Sequence, residues 1–331
     1  MKPFRTELSV PPAATLSGLK TCFLTLGSCF SDAIGERLVR TKFTAVPNPF
    51  GVIYNPISIH RMLNYALNRQ TPPDFTYYAR QDVHHNHDLH SEFSALSREA
   101  LENRIRTQID SVHNELPTTD IIILTYGTAW VHQLKDSGHI VANCHKRPSA
   151  DFEKRLLTVD EILTSFAEIH TQLQAANAGV KIILTVSPVR HIKDTLPLNS
   201  VSKSVLRVAC HQLVEAFAGV DYFPAYEIMM DDLRDYRFYD SDMIHPSAVA
   251  EEYIWERFTE TYLDAPTREF ITEWRKIQAA LNHRPFHPES SGHKNFLKEV
   301  LNKLQNLQSI VNVGAEINSI KSQLDLLSQK D

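Results

Sequence analysis

Cysteine is scarce in this chain. Cys22, Cys29, Cys144 and Cys210 are the only four among 331 residues, and no two form a C-x-x-C pair. That excludes a disulfide framework and fits a reducing compartment. Long apolar runs are missing as well. The longest, such as Ile121-Ile-Ile-Leu124, fall far short of the ~20 residues a membrane-spanning helix needs. The stretch Met1-Lys-Pro-Phe-Arg-Thr-Glu7 has no apolar core and no small-residue cleavage site, so it does not read as a signal peptide. The expected location is therefore the cytoplasm. A basic excess is also missing: 34 Lys and Arg stand against 39 Asp and Glu, a formal charge of −5. Such a mixed surface carries no electrostatic footprint for nucleic acid or anionic lipid. Hydrophobic residues at 43% and charged residues at 22% exclude a disordered chain. The length suffices for a sizeable core in one large domain or two modest ones.

What is present alternates. Residues 21–26, 120–125 and 180–186 are near-continuous β-branched and apolar runs, each ending in turn residues. They read as strands covered on both faces. Residues 42–46 and 220–223 are shorter strand candidates. Helical patterns cover 32–40, 56–68, 159–176, 203–218 and 246–262. This alternation predicts an α/β fold with a mostly parallel sheet. Ligand sites in such sheets gather beyond the carboxyl ends of the strands, where Gly27-Ser28, Gly127-Thr128 and Ser187-Pro188 all fall. Residues 71–119 interrupt the pattern as an insertion without a clear strand, helical over 97–115, and a candidate lid.

Two spots carry chemistry. Ser28 stands where a buried strand becomes a helix, a place for a helix cap or for a nucleophile whose oxyanion the helix N-terminus would favour. In Asp242-Met-Ile-His245-Pro246 a carboxylate and an imidazole are three residues apart, just before a helix start. That spacing can set the carboxylate behind the imidazole and fix its tautomer. Cys29, a thiol at a helix N-terminus, is weighed as an alternative nucleophile but read in preference as packing behind the site. His84, His85, His87 and His90, with Asp82 and Asp88, match no metal-ligand spacing, so no metal and no cofactor are expected. Cys144-His145-Lys146 is assigned no catalytic role.

Five ordered segments carry a family resemblance: Gly27-Ser-Cys-Phe-Ser31, Asn48-Pro-Phe-Gly-Val-Ile-Tyr-Asn-Pro56, Thr125-Tyr-Gly-Thr-Ala-Trp-Val131, Thr185-Val-Ser-Pro-Val-Arg-His191 and Phe238-Tyr-Asp-Ser-Asp-Met-Ile-His-Pro-Ser247. Over roughly residues 15 to 290 the chain resembles the GSCFA family of the SGNH/GDSL hydrolase superfamily. The resemblance implies a three-layer α/β/α sandwich and a Ser–His–Asp esterase. Ser28 would be the nucleophile, His245 the base and Asp242 its partner. The backbone N–H groups of Ser28 and Gly51 would hold the oxyanion. The superfamily's third donor, an asparagine in a Gly-x-Asn turn, is missing from Gly127-Thr128-Ala129. Asn55, Thr128 or a backbone N–H of that turn stands in for it, because losing one such donor costs ~3 kcal/mol. His90, Arg190 and His191 are candidate substrate contacts. The expected substrate is a short-chain acyl ester, O-acetyl on a small molecule or carbohydrate. The alternatives are acyl transfer by the same triad and a non-catalytic binding protein.

The tail differs. Leu297, Val300, Leu304, Leu307 and Val311 form one apolar stripe, and Val313, Ile317, Ile320, Leu324 and Leu327 a second, out of phase near Gly314. Two helices with a break are predicted, as a hairpin or a kinked coiled coil that also offers a route to a homo-oligomer. The domain reading is thus a hydrolase-like unit over 1–290, with 71–119 as its insertion, and a helical tail over 291–331.

Overall fold

The apolar runs become the inner strands of one parallel sheet. In the computed structural model, which describes residues 7–328, β1 (Cys22–Gly27), β6 (Ile121–Tyr126) and β10 (Lys181–Val186) lie side by side. Residues 1–6, most of the stretch read against a signal peptide, and 329–331 lie outside the described residues. The edges are β2 (Thr44–Pro47) and β11 (Val220–Tyr222), giving the order β11-β10-β6-β1-β2 with every pairing parallel.

The strand period of two sorts these runs between two cores. Leu24, Leu26, Ile122, Leu124, Ile182 and Leu184 face one side, with Ile59, Leu63, Phe166 and Leu206. These come from α2 (Pro56–Asn68), α4 (Val159–Ala176) and α5 (Leu196–Ala216). Phe23, Ile121, Ile123 and Ile183 face the other, against Ile34, Leu38, Ile254, Trp255 and Phe258. These belong to α1 (Cys29–Arg40) and α7 (Ala248–Tyr262), the latter preceded by a single turn, α6 (Ala225–Glu227). The result is a three-layer α/β/α sandwich. The helices start where capping chemistry allows. Asn55 accepts from Ser58 N–H with Pro56 behind it, and Thr158 and Glu161 form a capping box.

Two readings are corrected, and a second small sheet is added. Residues 71–119 are not strand-free: β3 (Tyr77–Arg80), β4 (Val83–Asn86) and β5 (Ser94–Ala95) form an antiparallel sheet before α3 (Arg98–Glu115). A second small sheet, β7 (Trp130–Leu134), β8 (Ile140–Val141) and β9 (Phe152–Leu156), follows β6. α5 begins seven residues before the predicted start at 203, because the Thr195 hydroxyl caps it at Leu198 N–H and Pro197 fits its first turn.

The tail is a hairpin. α9 (Ser291–Leu307) and α10 (Gly314–Ser328) pack on each other and on α8 (Ala265–Leu281) through Trp274 and Ile277. Trp274 Nε1 donates to the Arg40 carbonyl at 2.7 Å, and Lys42 pairs with Glu316 at 2.5 Å. Leu297, Val300, Leu304, Val311, Val313, Ile317 and Ile320 are buried within the chain, so these stripes no longer call for a second copy. No described helix is long and apolar enough to cross a membrane.

Candidate active site

β1 ends in a glycine that nothing else could replace. Gly27 has φ +140°, and a Cβ there would lie 2.2 Å from the Thr125 carbonyl oxygen. Asn48 brackets it: the Asn48 Oδ1 accepts from Gly27 N–H at 2.8 Å, and Asn48 Nδ2 donates back to the Gly27 carbonyl at 3.2 Å. The backbone of Ser28 prolongs the ladder, its N–H donating to Thr125 O at 3.1 Å. Ser28 precedes α1 without capping it. The residue is 1% exposed, and its Oγ has no hydrogen-bond partner.

Cys29 is the first residue of α1 and is partly exposed. Its sulfur lies 3.9 Å from the Tyr54 hydroxyl. Burial pushes the thiol pKa up, with the Tyr54 bond pulling the other way. Cys29 thus lies against Tyr54, just beyond the end of β1. The N–H groups of Cys29 and Phe30 stand in the first helical turn, where the helix supplies no acceptor.

Tyr54 organises the neighbouring strand end. Its carbonyl accepts from Gly127 N–H at 2.8 Å and Thr128 N–H at 3.0 Å, and its ring meets His191 edge-on at 5.3 Å between centroids. A Cβ on Gly127 would lie 3.2 Å from Tyr54 Cδ1 and 3.3 Å from His191 Nε2, so three strand ends converge there. His191 Nε2 is buried without a partner. Burial first, then the nearby Lys203 and His245, lower its pKa to about 4 against the pull of Asp194, so the ring is neutral at neutral pH.

The D-x-x-H loop closes on itself. Asp242 Oδ2 accepts from His245 Nδ1 at 2.6 Å, while Oδ1 accepts from the N–H groups of Ile244 (2.8 Å) and His245 (3.0 Å). These bonds, the imidazole's first, hold the carboxyl down at about 2. Met243 takes φ +59° to make the turn this tight. Both side chains are 44% exposed. Arg190 N–H donates to Ile244 O at 3.3 Å, which fastens the loop to the end of β10. No hydrogen bond joins His245 to Ser28.

The expected oxyanion donors are already engaged. Ser28 N–H serves Thr125 O, and Gly51 N–H donates to Asn48 O at 2.7 Å. Asn55 Nδ2 is held by Ser58 Oγ (3.0 Å) and Val141 O (3.3 Å). Thr128 Oγ1 bonds Ser202 Oγ and Trp130 N–H, both at 3.0 Å. All four are thus structural ties in this conformation. Arg190 is likewise redirected: its guanidinium lies over the Tyr239 ring at 3.9 Å and the Tyr236 ring at 5.3 Å. His90 pairs with Glu92 at 3.4 Å, and both pack over Gly51, whose φ is +71°. The insertion thereby reaches Asp32 in the first turns of α1, whose carboxyl burial raises and Glu92 raises further.

The histidine-rich stretch is a stack. His85 lies on His145 at 4.7 Å, His87 Nδ1 bonds Asn143 O, and His145 Nε2 bonds Asn86 O. Among the described residues, no group of three or more His, Cys, Asp or Glu is placed to hold a metal ion. Sequence reasoning missed Tyr54 and Lys203. Lys203 is wholly buried, and its Nζ donates to Gly127 O and Ser187 O, both at 2.7 Å. Its signal was legible: it shares the spacing of Leu206, Cys210 and Leu213, a lysine on the apolar face of a helix.

The fold is thus a doubly wound α/β/α sandwich with these polar groups beyond the carboxyl ends of β1, β6 and β10. The chain belongs to the GSCFA family: that family's model matches residues 22–258, and the model of the GSCFA domain protein C-terminal domain matches 274–326. Searched against the curated proteins, the sequence finds no match. Among solved structures it is similar to a putative platelet activating factor from Streptococcus pneumonia (14% identity, 73% of this chain, 83% of that one, TM-score 0.39). It is also similar to a carbohydrate esterase family 3 protein from Talaromyces cellulolyticus (12% identity, 77% and 99%, TM-score 0.34). A third is an acetyl esterase mutant with acetate ion (12% identity, 78% and 99%, TM-score 0.33).

Proposed function

We propose that this chain is a carboxylic-ester hydrolase for short acyl groups, acting by acyl transfer to the β1–α1 turn. His245 is the base and Asp242 its orienting partner. The observation that carries this reading is the 2.6 Å bond from His245 Nδ1 to Asp242 Oδ2. With Nδ1–H committed to the carboxylate, Nε2 is left as the lone-pair nitrogen, the form a general base needs. Asp242 stays ionised through the neutral range, so it can stabilise the imidazolium formed when the nucleophile loses its proton. No cofactor enters the reaction. The substrate class in this reading is an O-acetyl ester on a polyol such as a carbohydrate. The rim of His90, Glu92 and Asp32 offers both donors and acceptors to hydroxyl groups, and the 71–119 insertion that carries two of them serves as a partial lid. The four free thiols suit a reducing cytoplasm. In the same reading, 1–290 is the hydrolase unit and 291–331 a supporting tail.

A panel of nitrophenyl acetate, butyrate and octanoate, together with acetylated sugars, tests it. Turnover is expected to be highest with acetyl and to vanish in His245→Ala. Absence of turnover with every ester would overturn the reading. Capture of the acyl group by an added sugar alcohol in preference to water would make the chain a transferase.

A further inference from the structure

Resting on that hydrolase reading, we infer that Cys29, and not Ser28, is the nucleophile, through a thioester intermediate. The two neighbours occupy opposite situations. Ser28 is 1% exposed, and its N–H is spent on Thr125 O. Its hydroxyl can take one hydrogen bond from a bound group but lacks the opening that attack on a carbonyl needs. Cys29 is partly exposed and lies against Tyr54, which in turn meets His191 edge-on beside Gly127. The thiol therefore belongs to the group of side chains on which the strand ends converge.

Two further observations mark this spot as a place for a ligand. Two buried polar atoms there lack partners, Ser28 Oγ and His191 Nε2. Buried polar groups are nearly always satisfied, so orphans on the residue before the thiol and on the ring that meets Tyr54 point to a bound group that supplies the missing partners. The first turn of α1 also presents the N–H groups of Cys29 and Phe30 without helical acceptors. They lie at the positive end of a 12-residue helix, where an oxyanion is favoured. This answers the loss of the expected donors: the hole is the helix start, one residue further along than Ser28 and Gly51 suggested.

The chemistry balances with water alone. Burial keeps the thiol protonated at rest, so it needs a base in the transition state rather than a standing thiolate. As the sulfur–carbon bond forms, the thiol proton passes to His245 Nε2 and the carbonyl electron pair moves onto oxygen. Collapse breaks the carbon–oxygen ester bond, and His245 returns the proton to the leaving alkoxide. Water, deprotonated by His245, then attacks the thioester. The acid leaves, and the thiol recovers its proton.

Mass spectrometry of the full chain, quenched during turnover of nitrophenyl acetate, reads the intermediate directly. One acetyl group is expected on the peptide carrying Cys29, removed by neutral hydroxylamine as a thioester is. Cys29→Ala should lose turnover by about 10⁴-fold and carry no adduct. Ser28→Ala should still carry the acetyl adduct on Cys29. Cys29→Ser, in which any adduct becomes a hydroxylamine-resistant oxygen ester, controls for folding, and circular dichroism checks all three variants. An adduct on Ser28, or turnover retained in Cys29→Ala, would overturn this assignment and leave the hydrolase reading standing. A parent chain without turnover on any ester would overturn both.

Discussion

Lys203 ties the site to the stability of the whole sandwich. Its ammonium bridges the carbonyls of Gly127 and Ser187, the turns that close β6 and β10, and burial pushes its pKa down to about 7. The sign follows from proton counting. An unfolded lysine titrates near ~10.4, so between pH 7 and that value the unfolded chain binds more protons than the folded one. Stability must then rise with pH across this window. Below pH 7 both states hold the proton and the dependence ends. Integrating the two titrations, the gain from pH 7 to pH 9 is about 2 kcal/mol. Lys203→Met removes the titration. It also leaves two buried carbonyls without donors, at about 1–3 kcal/mol each, offset at pH 7 by relief of the desolvation cost. The parent and the variant should therefore be close in stability at pH 7, with the parent pulling ahead by pH 9. Urea titrations of both proteins at pH 7, 8 and 9 measure this, and groups common to both cancel in the difference. Parallel pH dependences would refute the reasoning and show that Lys203 keeps its proton in the folded chain at all these values.

Gly27→Ala forces a Cβ to 2.2 Å from a backbone oxygen at φ +140°, so a loss of at least about 3 kcal/mol in urea stability is expected. Trp274→Ala removes the ring that seats the tail and its bond to Arg40 O; about 3–5 kcal/mol should be lost, with early proteolytic cleavage between α8 and α9. Turnover should survive EDTA, since the proposed mechanism uses only side chains; loss on chelation with rescue by zinc would redirect attention to the stack of His85, His87 and His145.

The central sheet was legible because its strands are extreme. Ile121 to Tyr126 is buried at every position, and a run of that kind permits few other readings. Asp242-x-x-His245 was legible for a similar reason, since all its partners lie within four residues. The insertion's sheet was not. The β3–β4 turn places Gln81 and Asp82 at φ +50° and +60°, the geometry of a two-residue hairpin that usually announces itself with Asn-Gly. Its strands are rich in Tyr and His rather than apolar residues, so the alternation that marks a strand was faint. The donors were illegible for another reason. Whether Gly51 N–H is free depends on Asn48, and whether Asn55 is free depends on Val141, 86 positions away. Sequence shows which groups a turn owns and not which of them the fold has already used.

The pair on which the proposed chemistry rests is Asp242 and His245, and Asp242→Asn probes it with one atom changed. The side chain keeps its size and can still accept from Ile244 and His245 N–H, so the loop should hold its shape. The amide no longer fixes the imidazole tautomer or stabilises its charge. Steady-state kinetics on nitrophenyl acetate should show kcat falling by about 10⁴-fold with KM little changed. A variant that turns over at the parental kcat would contradict the assignment of Asp242 and His245 as the acid–base pair, and with it the account of this site as a hydrolase.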